Sequence, residues 1–142
     1  MKTLIVLFLV IASVPALAND SLSTKLTQKF SVDFPQAENV KSYETTRGLE
    51  VYYTMSDIKC HIWYNADGQL VKSIRYYSEK DLSPYLKGRV QQQFPAQTIF
   101  CVTELSKASG VSYHITLEDE KSWTTVVSDN MGELTVTRLL NK

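Results

Sequence analysis

Two ten-residue segments of this chain follow the same pattern, and this duplication limits the folds that the chain can adopt. Residues 26–35 read LTQKFSVDFP and residues 86–95 read LKGRVQQQFP, so the offset is 60 residues throughout. Apolar side chains recur at every fourth position in both segments, which places them on one face of a helix. The proline that ends each segment biases the preceding residue away from the helical conformation. Each segment is therefore predicted to be a helix that ends at Phe-Pro.

The two predicted helices also have recognisable beginnings. Asp20 or Ser21 can cap the first helix, and Ser83 followed by Pro84 suits the start of the second. The apolar stripes consist of Leu22, Leu26, Phe30 and Phe34 in the first helix and of Leu86, Val90 and Phe94 in the second. The last phenylalanine of each stripe is expected to plug the helix end into a sheet.

Four strand-like runs follow each proline, and short segments rich in Gly, Asn and Asp separate them. The predicted strands are residues 39–45, 49–55, 58–64 and 69–77, followed by residues 99–105, 111–117, 121–128 and 133–140. A helix stripe and an apolar sheet face can both leave water by packing against each other. The chain is therefore predicted to be an α+β tandem repeat of a helix plus four antiparallel strands. Residues 19–77 form the first repeat, and residues 78–142 form the linker and the second repeat of one compact domain.

Residues 1–18 have the composition of a secretory signal peptide. They read MKTLIVLFLVIASVPALA, with one early lysine, an apolar run, and small residues at Ala16 and Ala18. Pro15 interrupts the apolar run before it reaches the ~18 to 20 residues that a membrane span needs. The residue directly after the cleavage site is Asn19 and not a cysteine, so a lipid anchor has no attachment point there. We expect cleavage after Ala18 and a periplasmic or secreted protein without a membrane anchor.

The charges of the chain are balanced, with 15 Lys and Arg residues against 15 Asp and Glu residues. No long run of either sign is present, so the chain lacks the basic patch that characterises nucleic-acid-binding proteins. We expect no nucleic acid among its partners.

Cys60 and Cys101 are the only cysteines. In an exported chain an even number of cysteines permits a disulfide, here one bond between the two predicted halves. Two buried thiols that behave as small apolar side chains are the alternative. The choice depends on the order of the strands in the sheet, which the sequence leaves open.

The sequence contains none of the common catalytic motifs. It has no G-x-S-x-G, no H-E-x-x-H and no phosphate-binding loop, and His61 and His114 are its only histidines. Ser112 and His114 are predicted to share the solvent side of one strand, which is not by itself a triad. The Asn- and Asp-containing turns at residues 65–68 and 129–132 are too short for a calcium loop of the helix-loop-helix type. We therefore expect no enzyme activity, no metal site and no cofactor.

Strand alternation predicts an exposed sheet face that carries aromatic side chains. If Val51 and Tyr53 face the helices, then Tyr52 faces away from them, and the neighbouring strand turns its own rings in the same direction. Such amphipathic rings are typical of protein-recognition surfaces, although rings can also pack along a sheet simply as cross-strand pairs. The candidate partner-binding residues are Tyr43, Tyr52, His61, Trp63, His114 and Trp123.

The ordered series of motifs resembles a family of exported bacterial proteins with a beta-lactamase-inhibitor-like (BLIP-like), PepSY-like domain. The resemblance rests on the two helices that end in Phe-Pro, on the strands that begin at Gly48 and Gly110, and on the hairpin YNADG at residues 64–68. It covers the whole chain after the signal peptide. It implies an α+β fold in which antiparallel strands form a curved sheet with the helices on one face. It also implies no enzyme activity and no cofactor.

The sequence thus predicts an exported, non-enzymatic module that recognises or inhibits an unidentified periplasmic or extracellular protein through its aromatic sheet face. A periplasmic carrier of a small ligand or a metal is the alternative. A carrier needs a pocket between helix and sheet, or a histidine site, instead of an aromatic surface.

Overall fold

The computed structural model describes residues 21–142, and the predicted signal peptide lies outside these residues. In chain order the elements are α1 (Leu22–Asp33), β1 (Glu38–Thr45), β2 (Gly48–Met55), β3 (Ile58–Asn65), β4 (Leu70–Tyr77), a short 3-10 helix (Glu79–Asp81), α2 (Pro84–Gln93), β5 (Thr98–Lys107), β6 (Gly110–Glu118), β7 (Ser122–Asp129) and β8 (Leu134–Asn141). The predicted α+β class is confirmed, and each predicted strand boundary lies within two residues of the observed one.

Both helices are capped at the side chains that the sequence predicted. The hydroxyl of Ser21 accepts a hydrogen bond from the Thr24 amide, and the hydroxyl of Ser83 accepts one from the Leu86 amide. Each helix ends where a phenylalanine amide, Phe34 in α1 and Phe94 in α2, donates to the carbonyl four residues earlier at 2.8 Å. The two serine caps provide an acceptor for amides of the first helical turn, which have no carbonyl partner within the helix.

The eight strands form a single antiparallel sheet in which each strand lies beside its neighbours in sequence, in the order β1 to β8. The central ladder joins β4 to β5, with Lys72 opposite Lys107 at one end and Tyr77 opposite Val102 at the other. This ladder continues the sheet across the chain segment that carries α2. The two four-strand halves therefore share one sheet and its two faces.

Both helices cover the same face of this sheet, which we call the covered face. A single apolar core combines Leu26 and Phe30 of α1 with Leu86 and Val90 of α2 and with the inward residues of the strands. The rings of Phe30, Phe34 and Tyr53 lie 5.2 to 5.4 Å apart between centroids, at the end of α1. The core is thus continuous beneath the two helices.

Two details of the helix stripes differ from the sequence prediction. Leu22 lies in the first turn of α1, where its side chain remains 41% exposed, so the buried stripe of that helix begins at Leu26. Phe34 and Phe94, which were expected to plug the helix ends into the sheet, are half-buried and pack against the edge of the core. Both residues have left the helical conformation at the cap, and their side chains therefore no longer follow the helix stripe.

Polar residues of β4 and β5 meet on the covered face. The Arg75 guanidinium contacts both carboxylate oxygens of Glu104 at 3.3 Å, and the Tyr77 hydroxyl donates to Glu104 at 2.7 Å. Burial raises the pKa of the Tyr77 phenol, so it remains a hydrogen-bond donor at neutral pH. These contacts satisfy a carboxylate whose side chain is only 14% exposed.

The disulfide that the sequence permitted is not formed in the structure, where Cys60 and Cys101 are both free thiols. Cys60 lies opposite Tyr53 and Arg75 on the covered face, whereas Cys101 lies opposite Thr116 on the other face. Strand β4 also separates β3 from β5. Two side chains on opposite faces of a sheet and on non-adjacent strands cannot reach disulfide geometry.

The core assignment predicts the effect of truncating Phe30, whose side chain is 3% exposed. We expect Phe30→Ala to lower the free energy of unfolding by ~3 to 5 kcal/mol, because it removes a buried ring and leaves a cavity. Val32→Ala on the solvent side of the same helix should change it by less than ~0.5 kcal/mol. Urea denaturation of both variants checks this, and equal effects would contradict the orientation of α1.

The two thiols should differ in reactivity. Cys60 is buried, and burial raises the pKa of its thiol, whereas Cys101 is partly accessible. In the native protein we expect a maleimide to modify Cys101 first and Cys60 only after denaturation, with the order read by peptide mass spectrometry. A protein that resists alkylation after denaturation until a reductant is added would instead contain the disulfide.

Candidate functional site

The face of the sheet opposite the helices, which we call the open face, carries the predicted site residues. Residues directly opposite each other on antiparallel strands share a face, so the ladder assigns each side chain. Tyr52 of β2 lies opposite His61 of β3, and Trp63 of β3 lies opposite Glu50 of β2. Tyr43 of β1 lies opposite the same Glu50. All four rings therefore point away from the core, as the alternation predicted.

The four rings make a continuous series of contacts that we call the aromatic row. The centroids of Tyr43 and Tyr52 lie 5.7 Å apart, edge to face at 87°. Tyr52 stacks on His61 with centroids 3.6 Å apart and an interplanar angle of 21°. His61 in turn lies 3.5 Å from Trp63. The row runs across three strands of the first half, and each ring limits the movement of the next.

His61 lies in the middle of the aromatic row and is only 8% exposed, because Tyr52 and Trp63 cover the two faces of its ring. Its Nε2 lies 3.2 Å from a carboxylate oxygen of Glu50, which fixes the ring in its plane. Burial lowers the pKa of the His61 imidazole below its ordinary value, with a smaller contribution from Lys72, while the contact with Glu50 opposes the shift. Because the pKa is lowered, His61 is neutral at pH 7.

Basic side chains surround the aromatic row on the open face. The Lys72 ammonium lies 3.9 Å from the centre of the Trp63 ring, a cation–π contact. The ladder places Lys41 opposite Tyr52, Lys59 opposite Thr54 and Lys107 opposite Lys72. We call these four residues the lysine border: Lys41, Lys59, Lys72 and Lys107. Beside the row, a depression of about 320 Å³ is lined by Lys41, Tyr52, Lys59 and Tyr76, among others.

The remaining predicted residues, His114 and Trp123, lie on the open face of the second half and do not join the aromatic row. His114 is exposed on β6, opposite Thr103 and Val127. Trp123 of β7 instead contacts Phe100, with centroids 4.8 Å apart at 77°, and the Lys142 ammonium lies 4.7 Å from its ring. The six predicted residues thus form one cluster of four, one separate ring and one isolated histidine.

Two aromatic residues of the open face were absent from the prediction. Tyr76 lies opposite Lys59 on β4 and is exposed. A strict reading of the alternation in β4 finds it, because Tyr77 is buried. Phe100 has no such signal: the register of β5 shifts between Ile99 and Cys101, and this irregularity leaves Phe100 on the open face beside Trp123. An irregularity of this kind breaks the two-residue period on which the prediction relied.

The described residues offer little else for chemistry. Within residues 21–142, no three His, Cys, Asp or Glu side chains converge in a way that could hold a metal ion. The most strongly hydrogen-bonded carboxylate, Asp119, accepts from the amides of Lys121 and Ser122, from the Ser122 hydroxyl and from the Gln97 amide group. These donors hold its pKa at about 2 and occupy both oxygens, so Asp119 organises the β6–β7 turn.

The environment of His61 predicts a titration below the ordinary histidine pKa of 6.5. In a His114→Gln variant, which leaves one histidine in the chain, NMR titration of the imidazole should give a midpoint below ~6.5. The unfolded state then takes up a proton that the folded state resists, so the free energy of unfolding should fall as the pH drops through ~6.5. A midpoint above ~6.5 would mean that the contact with Glu50 outweighs burial.

Comparison with known proteins is informative at the level of structure. No protein-family model matches the sequence, and no curated protein has significant similarity to it. In the part of the chain that the structure describes, residues 21–142, no helix is long and apolar enough to cross a membrane.

Several solved structures share the fold. A DUF2874 family protein from Bacteroides ovatus superposes with a TM-score of 0.63 at 15% identity, over 87% of this chain and 89% of that chain. A BLIP-like protein from Bacteroides fragilis gives 0.61 at 11% identity, over 82% and 83%. A DUF2874 family protein from Bacteroides uniformis gives 0.60 at 12% identity, over 82% and 86%. At such identities the similarity concerns the fold alone. The resemblance to BLIP-like proteins that the sequence motifs predicted is therefore confirmed as a shared fold.

Proposed function

We propose that this chain is an exported, non-enzymatic binding module that recognises a periplasmic or extracellular protein through the open face of its sheet. The observation that carries the proposal is the aromatic row, a continuous series of four rings in contact on a face that no described element covers. The BLIP-like fold of a solved neighbour supports a binding role but does not name a partner.

The aromatic row has the properties of an interface centre. Tyr and Trp are enriched at interface hot spots because they offer a large apolar area together with a polar tip. Tyr43 and Tyr52 are both exposed, and Trp63 is half-buried, so each ring keeps apolar surface in water. A partner that removes this surface from water gains the hydrophobic contribution that drives protein association.

The lysine border gives the partner a chemical character. Its four ammonium groups face the same side as the aromatic row, where the neighbouring acids are Glu50, in contact with His61, and Glu38, opposite Thr54. Complementary charge increases the rate of association and disfavours partners of the wrong sign. We therefore propose that the partner presents acidic side chains around an apolar centre.

The order of the elements supports a tandem repeat in which only the first half carries the aromatic row. The element order repeats a helix followed by four strands, and Tyr52 and His114 lie four residues after the glycine that begins β2 and β6, respectively. We propose that the two halves derive from one unit, that the first half recognises the partner, and that the second half extends the sheet.

The carrier alternative has less support from the packing. A ligand pocket between helix and sheet would occupy the space that Phe30, Val51, Ile62 and Val90 fill, and these side chains are at most 3% exposed. The two histidines do not meet either, because strands β4 and β5 lie between His61 on β3 and His114 on β6. Three strands separate His114 from Tyr52 on β2. The open face therefore remains the favoured site.

The experiment compares partner capture by the wild-type chain and by variants of the aromatic row. Immobilised mature protein is incubated with a periplasmic extract of its native host, and captured proteins are quantified by mass spectrometry. We expect Tyr52→Ala and Trp63→Ala each to weaken capture of the specific partner by at least ~2 kcal/mol, about thirtyfold in affinity. Both variants should unfold at nearly the wild-type urea concentration, because neither ring belongs to the core.

The matched control is Tyr85→Ala, which removes an exposed tyrosine from α2 on the covered side of the molecule. A partner that Tyr85→Ala retains and the two row variants lose is bound through the open face. If all three variants capture the same proteins as the wild type, the open face is not the binding surface.

A further inference from the structure

The depression on the open face shares two residues with the aromatic row. Its volume is about 320 Å³, and Tyr52 and His61 of the aromatic row belong to its lining, together with Lys41, Lys59 and Tyr76. No Asp or Glu side chain in the described part of the chain lines it. Because His61 is neutral at pH 7, the two lysines give the depression a positive charge. It therefore extends the proposed binding surface with a basic recess.

The register of the strands explains why a depression forms at this point. Thr54, Lys59 and Tyr76 lie opposite one another in a row across β2, β3 and β4. Tyr52 stands two residues before Thr54 on the same face of β2. The side chain of Thr54 is much shorter than those of its neighbours, so a gap remains above it between the longer side chains.

Hydrogen bonds hold Thr54 in place. Its hydroxyl donates to the Glu38 carbonyl at 3.2 Å and accepts from the side-chain amide of Asn39 at 3.0 Å. Asn39 has a positive φ of 52°, and the register between β1 and β2 is irregular between Glu38 and Lys41. The Glu38 side chain is not part of the lining. The depression is therefore a fixed feature of the folded chain, and no acid of the chain fills it.

The polar groups around the depression have no partners of their own. Among residues 21–142, no ion pair includes Lys41 or Lys59. The hydroxyls of Tyr52 and Tyr76 make no hydrogen bond within the same residues, in contrast to the hydroxyl of the buried Tyr77. Ammonium groups and phenols can all donate hydrogen bonds. Four donor side chains without an internal acceptor therefore border one recess.

We propose that the depression receives an acidic side chain of the protein partner, with its carboxylate bound between Lys41 and Lys59 and beside Tyr52. The inference rests on the proposed function, which requires a protein partner, and adds the place where one of the partner's acids binds. A carboxylate accepts several hydrogen bonds and supplies the negative charge that the recess lacks. Hydrogen bonds between ionised groups are also stronger than those between neutral groups.

The aromatic row strengthens this contact. An ion pair that remains in water contributes little, because water screens the two charges. A partner that covers Tyr52 also excludes water from the adjoining depression, where the same charges then interact more strongly. Loss of such a contact is expected to increase the rate of dissociation, whereas loss of a distant charge changes mainly the rate of association.

An NMR titration tests the depression without a partner. The probe is N-acetyl-glutamate methylamide, and the matched neutral probe is N-acetyl-glutamine methylamide. At low ionic strength we expect the glutamate probe to shift the backbone amide signals of Tyr52 and Thr54 saturably, and the glutamine probe to bind at least about tenfold more weakly. Equal binding of the two probes, or no saturable shift up to about 100 mM glutamate probe, overturns the proposal.

The double variant Lys41→Gln, Lys59→Gln should bind the glutamate probe at least about tenfold more weakly than the wild type. Both lysines are exposed, so its urea unfolding midpoint should not change. The control is Lys25→Glu, which lowers the net charge by the same two units at an exposed position of α1 and should retain the binding. A double variant that binds the probe like the wild type overturns the proposal.

The same variants are then compared with the partner whose capture depends on Tyr52 and Trp63. We expect the double lysine variant to weaken binding at least about tenfold, mainly through faster dissociation, and Lys25→Glu to change it by less than about twofold. A partner that the Tyr52 and Trp63 variants lose but the double lysine variant binds unchanged overturns this inference and leaves the proposed function intact. Unchanged capture by the Tyr52 and Trp63 variants overturns both.

Discussion

The hydrogen-bonded ladder between β4 and β5 is the interaction on which the rest of the structure depends. It joins the two four-strand halves, and without it both halves would present a further unprotected edge. The contacts of Arg75 and Tyr77 with Glu104 lie on this ladder, where they satisfy a carboxylate that is largely removed from water. The connection between the two strands contains α2, so closing the ladder also returns α2 to the sheet face that α1 covers.

The composition of the open face follows from the requirements of the core. Because side chains alternate along a strand, burial of Val51 and Tyr53 under α1 places Tyr52 on the opposite face. Burial of Ile62 places His61 and Trp63 on that same face. The register between β2 and β3 then sets Tyr52 beside His61. A shift of that register by one residue would turn the rings into the core and apolar residues into water. The aromatic row is thus coupled to the packing of the first helix.

Properties that follow from local periodicity could be predicted from the sequence. The caps at Ser21 and Ser83, the Phe-Pro ends of the helices and the faces of β2 and β3 depend on residues close in the chain. The sequence also placed Gly48 at the start of a strand, and the structure adds that a Cβ there would collide with the Tyr64 carbonyl oxygen. The first half of the candidate site was predictable for this reason.

Properties that depend on the order of the strands could not be predicted. The sequence left the cysteine pairing open, since it did not show that β4 lies between the two cysteine-bearing strands. It grouped His114 with the aromatic row although two strands separate His114 from His61 on β3. It also missed Phe100, because a bulge has no clear signature among the side chains of β5. The close stacking of Tyr52, His61 and Trp63 likewise emerges only from the three-dimensional register.

The stacking within the aromatic row has a further consequence for rotamer entropy. A flexible side chain that becomes ordered at an interface costs about 0.5 to 1.5 kcal/mol of the binding free energy. In the aromatic row Tyr52 and Trp63 are already held against His61, which Glu50 fixes in turn, so this ordering takes place when the chain folds. A molecule that covers the row therefore meets rings that are already ordered, and more of the contact energy remains available as affinity.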